Sequence, residues 1–219
     1  HYPLRRQRQM CIRDSYEAVH AVGMGKSHLM GSATGIYLGI AGSDFQHLVT
    51  RAPALSRGVY TATGSSHSVA SGRLSFVLGL QGPCYSYDTA CSAALAANHG
   101  ALRGLQQHEA TMSIVLGVSV MLLPDCHLTF AIAGMLSALG RSHTFDYRAD
   151  GYARGEACCA VALYTSIFES SHRSRVSLLG SCVRQDGRSA SLTAPNGQSQ
   201  QSLILAALED ASMRPHQLT

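Results

Sequence analysis

The sequence predicts an α/β protein, and three features carry that reading. Of its 219 residues 46% are hydrophobic and 14% are charged, with 21 glycines and no tryptophan, which suits closely packed helices and strands joined by tight turns. Short β-rich runs bounded by glycine recur along the chain. Between them lie stretches whose apolar residues repeat at helical spacing, and this alternation points to a layered α/β architecture. A chain of this length can bury a sizeable core and fits one domain or two small ones.

From the N-terminus, the first helix is expected around Tyr16 to Val22. "TGIYLGIAG" (Thr34 to Gly42) reads as a buried strand, and a loop region with turn residues follows it. From Ser68 to Leu78 the positions Val69, Leu74, Val77 and Leu78 fit one helix face. "GLQGP" (Gly79 to Pro83) ends that helix, because glycine accepts positive φ and proline cannot continue the ladder. "YSYDTACSAAL" (Tyr85 to Leu95) alternates as a strand through Asp88, Thr89 and Ala90, stops at Cys91 and turns alanine-rich. Leu95, Leu102 and Leu105 then mark a helix to about Gln107.

"MSIVLGVSVML" (Met112 to Leu122) is a second buried strand. "SALGRSHTFDYRADGYARGEA" (Ser137 to Ala157) is polar, glycine-rich and long, and loops of that length in a packed domain usually serve a site. "CCAVALYT" (Cys158 to Thr165) and "RVSLLGSCVRQDG" (Arg175 to Gly187) read as further strands. After "TAPNG", Gln198 to Met213 forms a closing helix. There is no low-complexity segment and no internal repeat.

The formal net charge of +4 is concentrated at one end. Arg5, Arg6, Arg8 and Arg13, offset by Asp14, account for three of those charges. The segment "RRQRQMCIRDS" has no apolar period and resembles translated library-adapter sequence, so residues 1–14 are expected to be a non-native or disordered leader. The rest of the chain carries no basic stripe with interleaved aromatics, which argues against a nucleic-acid partner. Apolar runs such as Ile114 to Val118 fall far short of the roughly 20 residues that span a bilayer.

Seven cysteines, an odd count, form no C-x-x-C pair and follow no signal peptide, which favours free thiols and a cytoplasmic or plastid location. Cys126 beside His127, and Cys158 beside Cys159, lack the spacing that lets two ligands from one turn converge on zinc, so no metal is expected.

Cys91 stands apart from the other six. A strand ending at Ala90 and a helix beginning at Cys91 would set its thiol among unpaired amides at the positive end of the helix dipole, where the reactive thiolate is stabilised. The same amides could hold the oxyanion formed when a thioester carbonyl is attacked. Strand-to-helix corners also hold small residues because they fit, and local pattern alone favours that space-filling reading.

Resemblance reverses the balance. "LGLQGPCYSYDTACSAAL" resembles the nucleophile region of β-ketoacyl synthases, especially the ketosynthase domains of modular or iterative polyketide synthases. "SYEAVHAVG", "GSATGIYLGI" and "TGSSHSVASGRLSFVLG" precede it in the family's order, and "GVSVML", "GMLSALGRSHTFDYRADGYARGEA" and "VRQDGRSASLTAPNG" follow. The likeness covers nearly everything from Ser15 onward.

The resemblance implies a thiolase-like layered αβαβα fold of two related halves, the N-terminal half reaching about residue 170 and the C-terminal half beginning at 171. It implies that Cys91 accepts an acyl chain from the phosphopantetheine of an acyl carrier protein. Decarboxylative Claisen condensation with a malonyl-type extender then follows, in a polyketide or fatty acid pathway, with the backbone N–H of Cys91 as one oxyanion donor. It further implies that Thr193, Pro195 and Asn196 line the acyl entrance, that the domain binds no cofactor of its own, and that the complete domain is a homodimer pairing the edge strand Cys84 to Asp88 with its copy.

The chain departs from the family in four respects. The two histidines needed for decarboxylation and condensation, in contexts resembling H-G-T-G-T and N-x-G-H, do not occur. Their place lies beyond the closing helix, and the first strand of the family's fold is also missing before Ser15, so the chain reads as a fragment that would not complete condensation alone. His67, His99, His108 and His143 are expected to be solvated or packing residues instead. Ala93 and Ala94 stand where the family often has serines, and "MLSALGR" lacks the usual Pro-Asp.

Asp146, Arg148, Asp150, Arg154 and Glu156 are expected to form a structural network rather than a catalytic one. The alternatives are a non-catalytic fragment or partner subunit, and a coenzyme A-dependent thiolase. Retention of Cys91 argues against the first, and the "DGYARGE" and "TAPNG" strings against the second.

Overall fold

A computed structural model describes residues 2–42, 44–52, 58, 61–165, 176–191 and 193–218. The chain runs α1 (Tyr2–Ala21), α2 (Lys26–Leu29), β1 (Thr34–Ile40), α3 (Asp44–Arg51), α4 (Thr61–Ser65), α5 (His67–Leu78), β2 (Cys84–Tyr87), a 3₁₀ turn (Ala90–Ser92) and α6 (Ala93–Gln106). It continues through β3 (Met112–Ser119), α7 (Asp125–Ile132), β4 (Ala157–Tyr164) and α8 (Gly197–Asp210) to a second 3₁₀ turn (Pro215–Gln217). The strands form one sheet in the order β2-β1-β3-β4. β1 is parallel to both β2 and β3, and β4 lies antiparallel to β3.

Side-chain alternation divides the sheet into two faces. On one, Ile36, Leu38 and Ile40 of β1 and Met112, Ile114, Leu116 and Val118 of β3 pack with Val19 of α1 and Leu74 and Leu78 of α5 into the main core. On the other, Tyr37 and Val115 meet Ala97 and Ala101 of α6 in a smaller cluster. Both central strands are buried on both faces, as parallel strands between helical layers require.

The α/β reading and the four strands therefore hold, as does the α5 stop at Gly79, whose φ of 71° is the left-handed cap that glycine adopts without strain. Three expectations need correction. The stretch read as a leader does not start the fold at Ser15: α1 runs through it, and Cys11 is buried against the core, its Sγ 3.7 Å from that of Cys158. The region after β1 is helical at α3 and α4 rather than loop.

The strand read over 175–187 begins at a residue outside the described set, and from Val176 to Gly187 the chain forms no ladder. Strand pairing needs an adjacent edge, and Leu179 and Val183 are exposed here. The second sheet of a five-layer fold is thus not built among the described residues, which form one αβα unit followed by an extended segment and α8.

Candidate functional site

β2 ends at Tyr87 because its pairing with β1 ends there, at the Gly39–Tyr87 register. After Asp88 and Thr89 the chain enters the 3₁₀ turn Ala90–Ser92, and the α-helix starts at Ala93. Cys91 is therefore not the first residue of the α-helix, as the sequence suggested. It sits in the tighter turn that feeds it.

The turn is closed from within. Asp88 Oδ1 accepts the Ala90 N–H at 3.2 Å, Thr89 O accepts the Ser92 N–H at 3.2 Å, and Ala90 O accepts the Ala93 N–H. Ser92 Oγ lies 2.8 Å from both the carbonyl and the hydroxyl of Thr89. The N–H of Cys91 lies outside all of these bonds. Ala90 has φ 52°, left-handed backbone that costs a β-carbon residue roughly 1–2 kcal/mol. The cost supports a sharp corner from which Cys91 is exposed.

The sheet sets how close the helix comes. Gly39 and Gly117 stand opposite each other in the β1–β3 register. A Cβ on Gly39 would lie 2.5–2.6 Å from backbone atoms of Ala93 and Ala94, and one on Gly117 would lie 2.9 Å from Ala94 Cβ. The first turn of α6 thus rests on bare backbone, and the small side chains at Ala93 and Ala94 suit so close an approach. Farther along, Gly100 and Gly104 leave notches filled by the hydroxyl ends of Tyr87 and Tyr37. Burial pushes the Tyr37 phenol up to about 12 and raises that of Tyr87, so both stay neutral at physiological pH.

The long loop before β4 is structural in its contacts. Arg148 pairs with Asp146 at 2.7 Å, Asp150 accepts the Ala138 N–H at 3.2 Å, Glu156 accepts the Met121 N–H at 2.8 Å, and Arg154 lies 5.4 Å over the Phe130 ring. Its guanidinium partner holds the Asp146 carboxyl below the usual carboxylate range. His67 bonds the Gly42 carbonyl at 2.9 Å, and His99 lies 2.9 Å from Ser181 Oγ.

Asn196 caps α8, its Oδ1 accepting the N–H groups of Gln198 at 3.2 Å and Ser199 at 3.3 Å, while its own N–H donates to Asp186 at 2.9 Å. Thr193 and Pro195 line a shallow cleft with residues from Gln185 to Ser191. A second cavity, about 130 Å³, opens at the carboxyl ends of β1 and β3 between Leu38, Ile40, Phe45, Arg73, Val118 and Arg154. Cys91 lines neither of them. Among the described residues no three His, Cys, Asp or Glu side chains cluster as a metal would require, and no helix is long and apolar enough to cross a membrane.

Residues 3–166 match the family model for the β-ketoacyl synthase N-terminal domain, and residues 176–219 match that for the C-terminal domain. The chain belongs to the β-ketoacyl synthase family. It is 36% identical over 211 residues to a mycocerosic acid synthase-like polyketide synthase of Mycolicibacterium smegmatis, covering 95% of this chain and 10% of that protein. It is 41% identical over 209 residues to the phenolphthiocerol synthesis polyketide synthase type I Pks15/1 of Mycobacterium bovis, covering 94% of this chain and 10% of the relative.

Among solved ketosynthases, one from module 6 of the bacillaene synthase of Bacillus subtilis superimposes with a TM-score of 0.85 at 29% identity, over 95% of this chain and 35% of the other. The oxazolomycin ketosynthase domain OzmH KS7 of Streptomyces albus gives 0.88 at 28% identity, over 95% and 37%. The chain thus spans about a tenth of these two curated synthases and about a third of the solved ketosynthase chains. Its fold is thiolase-like.

Sequence reasoning found the nucleophile candidate of this ketosynthase-family chain but not what holds its helix in place. Lone glycines inside the strands at Gly39 and Gly117 were the available signal, since such residues mark close backbone approach. His99 and Arg103, one helical turn apart on α6, were a second one.

Proposed function

We propose that this chain is the nucleophile-bearing part of a carrier-protein-dependent ketosynthase, with residues up to about 170 in the N-terminal half and the remainder opening the C-terminal half. The observation that supports this best is the Ala90–Ser92 turn, an exposed thiol at a strained corner entering α6, in a chain of this family.

The Cys91 thiolate attacks the carbonyl carbon of an acyl thioester carried on phosphopantetheine. The carbonyl π electrons move to oxygen, and the Cys91 N–H, uncommitted in the turn, donates to that oxyanion. The intermediate collapses with loss of the pantetheine thiolate, which takes up a proton, and the acyl group is left on Sγ. A malonyl-type extender then loses carbon dioxide, its enolate carbon bonds to the acyl carbon, and the Cys91 thiolate leaves. Thr193, Pro195 and Asn196 line the approach of the acyl chain.

The partner is an acyl carrier protein. Pairing of β2 with its copy in a second protomer supplies the dimer: β2 is an edge strand whose Cys84 and Tyr85 are exposed. Mass spectrometry after incubation of the full-length protein with an acyl thioester tests the assignment, with the adduct expected on Cys91. An adduct that persists in Cys91→Ala sinks it.

A further inference from the structure

The two parts of the proposed site lie on different units. Cys91 is at the head of α6, which is seated on the sheet. Thr193 to Asn196 precede α8, and Asn196 is tied to both α8 and Asp186, so that loop moves with α8. Any acyl chain that passes the loop and reaches the thiol depends on how these two units are aligned.

Among the described residues, three hydrogen bonds join them, and all converge on one corner. Ser181 Oγ lies 2.9 Å from His99 Nδ1, and the Ser181 carbonyl accepts from Arg103 Nη2 at 2.9 Å. Arg103 Nη2 also pairs with Asp210 Oδ1 at 2.7 Å, at the far end of α8, while Asp210 Oδ2 accepts the Ser181 N–H at 2.9 Å. One residue is thus held at its N–H, its carbonyl and its hydroxyl. Gly180 brings the same segment against α8, since a Cβ there would lie 2.5 Å from the Ala211 nitrogen. The Arg103–Asp210 pair is partly shielded, with side-chain exposures of 34% and 24%, so water screens it less than a fully exposed pair.

His99 and Arg103 lie one turn apart on α6, about 100° around the helix from Gly100 and Gly104, which receive the tyrosine hydroxyls. The helix is therefore held along two stripes, by the tyrosines of the sheet and by Ser181. A helix of 14 residues behaves as a rod of about 21 Å, so a tilt allowed at Arg103 is carried to the end bearing Cys91.

We infer that Arg103 and Asp210 are positioning residues, forming with Ser181 and His99 the joint that aligns the loop Thr193–Asn196 with the Cys91 thiol. This rests on Cys91 being the nucleophile. The joint touches no reacting atom and acts through the placement of α6 and α8.

The test is single-turnover acylation of Cys91 by a carrier-bound acyl thioester in the full-length protein, run beside alkylation of the same thiol by iodoacetamide. Arg103→Met and Asp210→Asn are each expected to lower the acylation rate about ten-fold, a typical scale for misplacing a reacting pair. Iodoacetamide needs no aligned wall, so its rate should not change. The double variant should be no slower than the slower single one, because both changes open one joint. Arg103→Lys, which keeps the charge opposite Asp210 but lacks the fork that reaches Ser181, should fall between, and it serves if the methionine variant does not fold. Wild-type acylation rates in Arg103→Lys and Asp210→Asn would overturn the joint, as would equal loss in both reactions. Acylation of the wild type elsewhere than Cys91 would instead remove the nucleophile on which the joint rests.

Discussion

Replacing Gly39 by alanine puts a methyl group where the backbone of α6 already lies. The added carbon would find Ala93 and Ala94 backbone atoms at 2.5–2.6 Å, where ordinary contact begins at 3.4 Å, so the helix start must withdraw by about 0.9 Å. Backbone cannot swing aside as the end of a side chain can, so the overlap is relieved by lifting α6 or spreading the sheet. Overpacking of this kind costs about 1–3 kcal/mol, and at about 2 kcal/mol the folded-to-unfolded ratio falls roughly thirty-fold.

The same displacement moves Cys91 relative to its approach, which lowers acylation by about ten- to a hundred-fold. Urea denaturation of Gly39→Ala measures the first effect, and single-turnover acylation of Cys91 in the folded fraction measures the second. Gly72→Ala is the control: it lies in α5 with open space around its missing side chain, so it should be neutral or gain up to about 1 kcal/mol. A Gly39→Ala protein as stable and as readily acylated as the wild type would refute the idea that bare backbone sets the height of the nucleophile helix.

Gly100→Ala should cost about 1–3 kcal/mol by colliding with the Tyr87 hydroxyl, and Tyr87→Phe should recover most of that loss; a double-mutant cycle in urea, showing no coupling between the two, would contradict the packing. Asn196→Ala removes the α8 cap and should cost about 0.5–2 kcal/mol, with Asn196→Asp restoring part of it, as read by thermal denaturation. Asp210 is held below its ordinary value by the Ser181 N–H and by Arg103, so the folded protein takes up its proton at lower pH than the unfolded chain. Its stabilising contribution is complete above the unfolded value of about 3.9 and is lost as pH falls through the lower folded one. Urea midpoints should therefore drop on acidification below about pH 4, and Asp210→Asn should flatten part of that slope.

Much of the sheet was legible because its two central strands are short, continuously apolar runs buried on both faces, so "TGIYLGI" and "MSIVLGVS" admit little else at that length. The corner at Cys91 was legible to within two residues. The alternation in "YSYDTAC" runs on past Tyr87, but the ladder does not: its last pair is Gly39–Tyr87, although β1 continues to Ile40 against β3. Helix α1 was obscured because arginine, glutamine and methionine carry helix propensity without apolar periodicity, and the burial of Cys11 depends on β4, far along the chain. α3 is short and is tied down by a contact invisible locally, the two-pronged pairing of Arg51 with Asp125 at 3.0 and 2.8 Å. At the site, Cys91 was singled out as a candidate by the family resemblance around it rather than by its local pattern, whereas the joint at Ser181 draws its members from positions 99, 103, 181 and 210, and no spacing rule connects them.

Ser181 is gripped chiefly through atoms that every residue possesses. Two of its three held groups belong to the main chain, so a substitution at 181 would erase one contact and leave the rest, while a change at Arg103 or Asp210 removes two at once. The information that specifies this junction therefore resides in its neighbours rather than at its centre. Sequence drift at the centre is tolerated so long as the grip remains, and the two outlying charges share that grip, each keeping one main-chain contact with Ser181 when the other is lost.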